Sequence, residues 1–257
     1  MGILNITPDS FYSGNRTTDE KDILKLTEKM LEDGAAFIDI GGFSSRPGAE
    51  YVSEEEEGKR IYEVVKLLVS HFKEIIISVD TYRSTIAKRV VEMGAAMIND
   101  ISSGEDDPEM MKTIAKLQVP YIMMHKRGTP QTMQQLTQYD NVTNDVLDYF
   151  IKKITDTKEL HIHDILIDPG FGFAKTIEQN YQLLNNLEIF RMLQSPLVAG
   201  LSRKKMIQHV IEADVEEALN GTSTANTIAL LKGASILRVH DVKEAVQCVK
   251  IVEMLNH

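Results

Sequence analysis

Two carboxylates and one amide stand at the ends of short apolar segments of the kind that form buried strands. They belong to Asp80, Asn99 and Asp168. A carboxylate accepts two parallel N–H bonds, and an amide both donates and accepts. Any one of the three is as well explained as a helix cap. If they converge, however, they suit a flat heterocycle that carries adjacent N–H donors.

Basic side chains follow the last two apolar segments. Lys204 comes shortly after Ala199, and Arg238 and His240 lie two positions apart near the end of the chain. Residues two apart on a strand share a face, so both side chains can point at one anion. Arg46 adds a further donor from a Ser-Ser-Arg-Pro-Gly segment. Each alone is most simply a solvated charge, whereas their joint placement predicts an anion site.

Asn5 closes the first apolar segment and lies beside Thr7 and Asp9. A neutral oxygen ligand suits Mg²⁺ that arrives with a polyphosphate, because this ion keeps waters and substrate oxygens. The alternative is an Asn that only forms a turn. The histidines and Cys248 are not arranged as a zinc site, and the cysteine is expected to pack in a helix. No Ser-His-Asp or Cys-His nucleophile system is recognisable.

The elements that carry these residues alternate between strand-like and helix-like segments, as in repeated βαβ units. The predicted strands are Gly2–Asn5, Phe37–Gly42, Ile75–Asp80, Ala96–Asn99, Tyr121–His125, Asp164–Asp168, Leu197–Ser202 and Ile236–His240. The predicted helices are Asp19–Asp33, Ser53–Ser70, Arg83–Glu92, Pro108–Lys116, Asn144–Asp156, Ile177–Asn186, Glu216–Lys232 and Val242–Leu255. Continuous apolar strands are typical of a parallel sheet that is buried on both faces.

Polar residues at the downstream ends of parallel strands predict a barrel with its active site on that rim. The sequence therefore predicts the α/β class, with a single (β/α)₈ TIM barrel domain over residues 1–257. Loops after strands seven and eight are the common phosphate position of this fold, which agrees with the basic residues found there. An open doubly wound sheet is the alternative. It favours a Gly-rich turn after the first strand, which Asn-Ile-Thr-Pro-Asp is not.

A weak repeat supports the alternation of helix and strand. Gly34, Gly94 and Gly233 each precede two small residues and then a strand. Such a glycine fits the left-handed position just past the end of a helix. The acid run Glu54–Glu57 follows Ser53 and is expected to be a capped, solvated helix start.

Bulk properties limit the classes of function. The net charge of −10 argues against a nucleic-acid partner, and no apolar segment is long enough to span a bilayer. A single cysteine and no recognisable signal peptide predict the reducing cytoplasm. An anionic substrate must therefore be held by a local cluster of donors or by a metal.

The ordered set of motifs resembles the dihydropteroate synthase family. The motifs are Gly2–Phe11, Asp39-Ile-Gly-Gly, Ser45-Arg-Pro-Gly, Ser78-Val-Asp-Thr, Ile98-Asn-Asp, Asp168–Phe173, Ser202-Arg-Lys and Arg238-Val-His. The resemblance implies that p-aminobenzoate displaces pyrophosphate from 6-hydroxymethyl-7,8-dihydropterin diphosphate, giving 7,8-dihydropteroate. Two alternatives are a methyltetrahydrofolate:corrinoid methyltransferase, which needs no diphosphate-binding site, and a pterin-binding protein without catalysis.

The resemblance also implies roles for individual residues. The implied catalytic residues are Asp80, Lys204 and Arg238. The implied pterin-binding residues are Asp80, Asn99, Met124, Asp168, Phe173, Lys204 and Arg238. Pyrophosphate is assigned to Asn5, Arg46, Arg238 and His240, with Mg²⁺ on Asn5. The p-aminobenzoate wall is assigned to Phe11, Ser45, Pro47, Phe173 and Lys204.

The chain departs from the family pattern at two places in the early loops. Ser13 stands where an acidic residue is frequent, and Ser45 stands where Thr is common but keeps the hydroxyl. A homodimer is implied by the family and by late apolar residues, which are Ile228, Leu230, Leu231, Val246, Val249 and Val252.

Overall fold

The computed structural model describes residues 1–6, 16–43 and 51–256. Eight strands form one sheet in which each strand pairs in parallel with the next along the chain. They are β1 Gly2–Asn5, β2 Ile38–Gly41, β3 Ile77–Asp80, β4 Met97–Asp100, β5 Tyr121–Met124, β6 Ile165–Asp168, β7 Leu197–Ala199 and β8 Ala234–Leu237.

The sheet closes on itself through the residues that follow β8. Gly2 and Val239 form a parallel bridge. The Ile3 N–H donates to the Val239 carbonyl at 2.9 Å, and the Val239 N–H donates to the Met1 carbonyl at 3.0 Å. The predicted (β/α)₈ barrel is therefore confirmed.

Helices cover the outside of the barrel. They are α1 Arg16–Glu32, α2 Glu54–His71, α3 Ser84–Glu92, α4 Met110–Leu117, α5 Val142–Glu159, α6 Ile177–Asn185, α7 Lys205–Ile211, α8 Leu219–Leu231 and α9 Val242–Glu253. Among residues 1–6, 16–43 and 51–256, no helix has the length and apolar character needed to cross a bilayer. Cys248 is buried in α9, as predicted.

Several predicted boundaries were wrong. The prediction missed α7, because seven residues show too little of a helical period to be separated from a loop. It also carried β7 to Ser202 and β8 to His240, whereas these strands end at Ala199 and Leu237.

The start of α2 is only partly as predicted. Ser53 caps the helix, since its Oγ accepts the Glu56 N–H at 3.2 Å. Glu57, however, is fully buried rather than solvated. It accepts a hydrogen bond from Thr81 Oγ1 at 2.7 Å and pairs with Arg83 at 2.8 Å, so this acid joins α2 to the segment after β3.

Two apolar layers hold the barrel. The larger one lies between strands and helices and includes Leu4, Ile40, Val79 and Ile98. A separate small cluster, Met1, Met97, Ile122, Leu166 and Val198, comes from alternate strand positions and fills the barrel interior. Positive φ angles of +100°, +112° and +104° at Gly34, Gly94 and Gly233 confirm the predicted turns into β2, β4 and β8.

Candidate active site

The polar cluster lies one layer above the apolar interior of the barrel. Asn99, Met124 and Asp168 each follow an interior residue, Met97, Ile122 or Leu166, by two positions. Residues i and i+2 of a strand point to the same face, so the three side chains enter the barrel at its carboxyl-terminal rim. Asn99, Met124 and Asp168 are all buried. The two-residue period of the strands thus places the rim residues directly above the apolar interior of the barrel.

Arg238 joins two carboxylates at this rim. Its Nε donates to Asp39 Oδ2 at 2.6 Å, and its Nη2 donates to Asp80 Oδ2 at 2.9 Å. Burial opposes the charged guanidinium, but Asp39 and then Asp80 outweigh it and raise the Arg238 pKa above its ordinary value. Arg238 is therefore a permanent cation held across the top of the barrel.

Asp80 has a strongly shifted ionisation. Burial raises its pKa from 3.8 to about 7, although Arg238 acts in the opposite direction. The value of about 7 includes the negative charge of Asp39, which raises the Asp80 pKa in the same direction as burial. A carboxylate near its pKa at neutral pH responds to small changes of nearby charge, which suits a group beside a developing cation.

Asp168 at the end of β6 and Lys204 after β7 both lie beside Gly200. A Cβ added at Gly200 would lie 3.6 Å from Asp168 Oδ2 and 4.0 Å from Lys204 Nζ, so both charges are close to this glycine. Burial raises the Asp168 pKa, and Lys204 counteracts that rise. Burial lowers the Lys204 pKa to about 8 while Asp168 opposes the shift.

The loop after β6 shapes the wall beside Lys204. Asp168 Oδ1 accepts the Gly170 N–H at 2.8 Å, which ties the start of the loop to the strand end. Lys204 Nζ donates to the Phe171 carbonyl and lies 4.9 Å from the centre of the Phe173 ring. Phe173 is half-buried, so its ring forms an apolar surface next to a cation.

His240 and Arg203 have different hydrogen-bond partners. His240 Nδ1 lies 3.0 Å from Ser202 Oγ, which also accepts the His240 backbone N–H at 3.2 Å, so His240 is linked to the loop after β7. Arg203 is paired with both oxygens of Asp241 at 2.8 and 2.9 Å. Within the Ser202-Arg-Lys motif, Arg203 is therefore held by Asp241, and Lys204 is the basic residue close to Asp168.

The structure places only part of the predicted site. Asn5 is half-buried at the end of β1, and a Cβ at Gly41 would lie 3.6 Å from its Oδ1 and 3.9 Å from Asp80 Oδ2. The predicted residues Phe11, Ser45, Arg46 and Pro47 lie outside the described residues, as do Ser13 and most of both early loops. Within the described part of the chain, no group of three His, Cys, Asp or Glu side chains is arranged to hold a metal.

Two buried groups were not assigned from the sequence. Asp39 was recognised only as part of a motif, yet it is fully buried and bonded to Arg238. Lys175 was missed entirely. Its buried Nζ lies 3.0 Å from His125 Nδ1 and donates to the carbonyls of Gly170 at 2.9 Å and Phe173 at 3.1 Å.

Lys175 therefore braces the loop that carries Phe173. Burial lowers the pKa of His125 well below its ordinary value, which favours a neutral imidazole that accepts at Nδ1. Burial also lowers the Lys175 pKa well below its ordinary value. Asp39 could have been found as a charged residue inside an apolar strand, but nothing local distinguishes Lys175 from a surface lysine.

Comparison with known proteins identifies the family. The "Pterin binding enzyme" family model matches residues 1–240. The chain belongs to this pterin-binding enzyme family. Dihydropteroate synthase of Escherichia coli strain K12 is 42% identical over 255 residues, covering 98% of this chain and 90% of that protein.

Solved structures of family members agree over the whole chain. A Yersinia pestis dihydropteroate synthase with a sulfonamide drug complex has a TM-score of 0.92 and 39% identity, covering 100% of this chain and 93% of that one. A Xanthomonas albilineans dihydropteroate synthase with 4-aminobenzoic acid has a TM-score of 0.92 and 36% identity, covering 100% and 92%.

These relatives decide between the three activities that the sequence left open. The chain has the activity of the dihydropteroate synthase members of the pterin-binding family, which are transferases of folate synthesis. It is neither the corrinoid methyltransferase nor the non-catalytic binding protein.

Proposed function

We propose that the rim of the 1–257 barrel domain performs this synthesis through the residues named from the sequence. The observation that carries the proposal is the pairing of Arg238 with Asp80, together with the position of Lys204 and Asp168 beside Gly200, above the apolar interior of the barrel. Two cations and two carboxylates at one buried rim match a substrate that carries both N–H donors and a diphosphate.

The pterin ring is proposed to lie deep in the rim. Asp168 accepts from the 2-amino and N3 positions, and Asn99 contacts the adjacent ring nitrogens. Asp80 lies near N8, where its charge stabilises the cation that develops as the bond to pyrophosphate breaks. Lys204 binds the carbonyl side of the pterin and Arg238 stacks on the ring. Met124 and Phe173 supply apolar contacts, in keeping with the burial of Met124.

Pyrophosphate is proposed to leave toward Arg238, His240, Arg46 and Asn5. Nε and one N–H of Nη2 donate to Asp39 and Asp80, so Nη1 and the second N–H of Nη2 are the donors assigned to the anion. The Asn5 amide oxygen fits Mg²⁺, which prefers oxygen ligands and retains waters and phosphate oxygens. When bound, the ion neutralises charge on the diphosphate.

The second substrate is proposed to approach over Phe173 and Lys204, with Phe11, Ser45 and Pro47 completing the wall. The amine nitrogen of p-aminobenzoate forms a bond to the exocyclic carbon of the pterin. The bond from that carbon to the diphosphate oxygen breaks, and pyrophosphate leaves with the electron pair. The nitrogen then loses one proton, which leaves 7,8-dihydropteroate. Arg238 and Lys204 place two positive charges at this buried rim, which suits departure of a highly charged anion.

We expect sulfonamide binding to depend on pyrophosphate and Mg²⁺. If Asn5 and Arg46 must engage them before the wall is complete, a sulfonamide binds weakly to the free protein and about tenfold or more tightly when both are present, a coupling of roughly 1–3 kcal/mol. Calorimetric titration with and without the two ions measures this. Coupling is reciprocal, so the sulfonamide must also tighten pyrophosphate binding.

Asn5→Ala separates the metal from the anion in this test. It should remove the Mg²⁺ dependence while leaving binding of metal-free pyrophosphate in place. Identical sulfonamide affinity in all conditions would show that the wall forms without pyrophosphate. Ser13, in place of an acidic residue, is expected to weaken the coupling rather than abolish it.

A homodimer is also proposed, through the outer faces of α8 and α9. Of the late apolar residues, Val252 is buried in this barrel, whereas Ile228 and Leu231 are 39% and 51% exposed. Ile251 on α9 and Met254 just after it are 63% and 72% exposed. Exposed apolar side chains on adjacent helices are typical of protein interfaces.

Sedimentation at micromolar concentration should therefore show a dimer, and Leu231→Glu should shift it to monomer. Ile151→Glu is the matched control, because Ile151 is 47% exposed but lies on α5. A monomeric parent protein would contradict the proposal. So would equal effects of the two variants.

The cellular setting is proposed as cytoplasmic, with small-molecule substrates and neither nucleic-acid nor membrane partners. The support is a net charge of −10 and one buried cysteine.

A further inference from the structure

Asp39 is the most deeply buried carboxylate of the rim. It is the second residue of β2, between Ile38 and Ile40, which point outward into the layer of helices. By the strand period Asp39 points inward, and its exposure is 0%. A carboxylate at such a position is costly unless several donors satisfy it, so it needs an explanation.

Three side chains from three different strand regions donate to this carboxylate. Ser78 Oγ donates to Oδ1 at 2.5 Å, and Asn99 Nδ2 donates to Oδ2 at 3.1 Å. Arg238 Nε also donates to Oδ2, at 2.6 Å. Both oxygens are therefore engaged by protein groups.

We propose that Asp39 is a positioning residue that orients Asn99 and Arg238 toward the pterin and its diphosphate. The inference rests on the proposed roles of those two residues. Asp39 acts through them and touches no substrate, because its own oxygens are already bonded inside the barrel.

The effect on Asn99 concerns which end of its amide meets the ligand. A carboxylate only accepts, so it bonds the NH₂ end of the amide and repels the oxygen end. With Nδ2 given to Asp39, Oδ1 is the atom left to accept an N–H from the ligand. Without that carboxylate, the amide is able to turn over and offer a donor where an acceptor is required.

The effect on Arg238 concerns the direction of its guanidinium plane. Asp39 holds Nε and Asp80 holds Nη2, which fixes the plane along two edges. A guanidinium held at two points loses little further freedom when it binds a ring or a phosphate. With Asp80 alone, the group retains one anchor and is able to swing.

The test is Asp39→Asn, compared with Asp100→Asn. Asp100 is a matched control: it is also 0% exposed, and it accepts from Tyr121 Oη at 2.6 Å and from the Gly104 N–H at 2.7 Å rather than from Asn99 or Arg238. We expect Asp39→Asn to weaken calorimetric binding of pterin and of pyrophosphate about tenfold or more, the loss of one charge-assisted bond. Asp100→Asn should reduce stability but leave both affinities within about twofold.

A double-mutant cycle with Asn99→Ala separates this inference from the proposed function. If Asp39 acts on pterin through Asn99, adding Asp39→Asn to Asn99→Ala lowers the pterin affinity by no more than about twofold. The effect of Asp39 through Arg238 is measured separately, as the loss of pyrophosphate affinity in Asp39→Asn. If Asn99→Ala itself binds pterin like the parent protein, the role assigned to Asn99 is wrong. If Asn99→Ala weakens pterin and Asp39→Asn does not, Asp39 is only structural.

Ser78→Ala keeps the inference testable if Asp39→Asn fails to fold. It removes the donor on Oδ1 and leaves the carboxylate in place. A loss of pterin affinity of about threefold or more is expected, since the anchor of Asp39 is weakened. Unchanged pterin and pyrophosphate affinity in Ser78→Ala would then overturn the proposal.

Discussion

Arg238→Ala is expected to lower the free energy of unfolding by about 3–5 kcal/mol, because it leaves two buried carboxylates without their cation. Those carboxylates are Asp39 and Asp80, at 2.6 and 2.9 Å from the guanidinium. Denaturant unfolding measures the loss. Binding should fall in a specific order as well, with pyrophosphate and pterin diphosphate losing more affinity than free pterin, because only the first two carry the anion.

The same variant should change the pH dependence of activity. Arg238 holds down the Asp80 pKa, which burial has raised to about 7. Without the guanidinium the Asp80 pKa rises further. The carboxylate form of Asp80 is then reached only at higher pH, so the acid limb of the pH–rate profile shifts to higher pH.

Arg238→Lys is the graded control for both measurements. It keeps a positive charge but loses the planar fork that serves two carboxylates at once. We expect an intermediate loss of stability and a smaller pKa shift of Asp80. Equal losses of affinity for pterin, pyrophosphate and pterin diphosphate in Arg238→Ala would show that Arg238 supports the fold or stacks on the ring without binding the anion.

Asp168→Asn is expected to weaken pterin binding by about 1.5–3 kcal/mol for each charge-assisted bond that is lost. An amide presents one acceptor oxygen and one NH₂ group, so it cannot receive two N–H bonds side by side. The remaining Oδ1 can still accept the Gly170 N–H, which Asp168 accepts at 2.8 Å, so the loop after β6 keeps its anchor. Calorimetry with pterin measures the loss.

Stability should respond differently from binding in this variant. Burial raises the Asp168 pKa, so the folded protein bears a cost for the ionised form at neutral pH that the amide removes. Lys204 loses its partner, and its pKa should fall below about 8. Asp164→Asn is the matched control, because Asp164 is exposed just before the other end of the same strand. Pterin affinity unchanged in Asp168→Asn would remove Asp168 from the pterin site.

Much of the barrel was predictable from the sequence because its signals are local. Strands buried on both faces need continuous apolar segments, and the turns into β2, β4 and β8 need a residue at positive φ. A polar residue at the end of a predicted strand can also be placed in the barrel, since all parallel strands end on one rim. This is why Asp80, Asn99 and Asp168 all lie at or next to the carboxyl ends of their strands.

Boundaries were less predictable where tertiary contacts decide them. The segment Arg238–His240 directly follows the apolar residues of β8 and was predicted as part of it, yet the strand ends at Leu237 and the chain then pairs with β1 through Val239. A short helix such as α7 begins directly after Lys204 and has too few turns for its period to show. The residue types at the end of β8 and at the start of α7 do not mark either boundary.

The sequence by itself determined the alternation of strands and helices, the rim on which the polar groups meet and the family. Only the tertiary structure decided which charges pair. Arg238 reaches Asp39 and Asp80 across 199 and 158 residues of chain, and Lys175 reaches His125 across 50. Local sequence does not encode such pairs, because the distance between two side chains that are remote in the chain is set by the closure of the barrel. Burial follows from the same closure, and it separates Glu57 from its solvated neighbours and shifts the pKa values of Asp80 and Lys204.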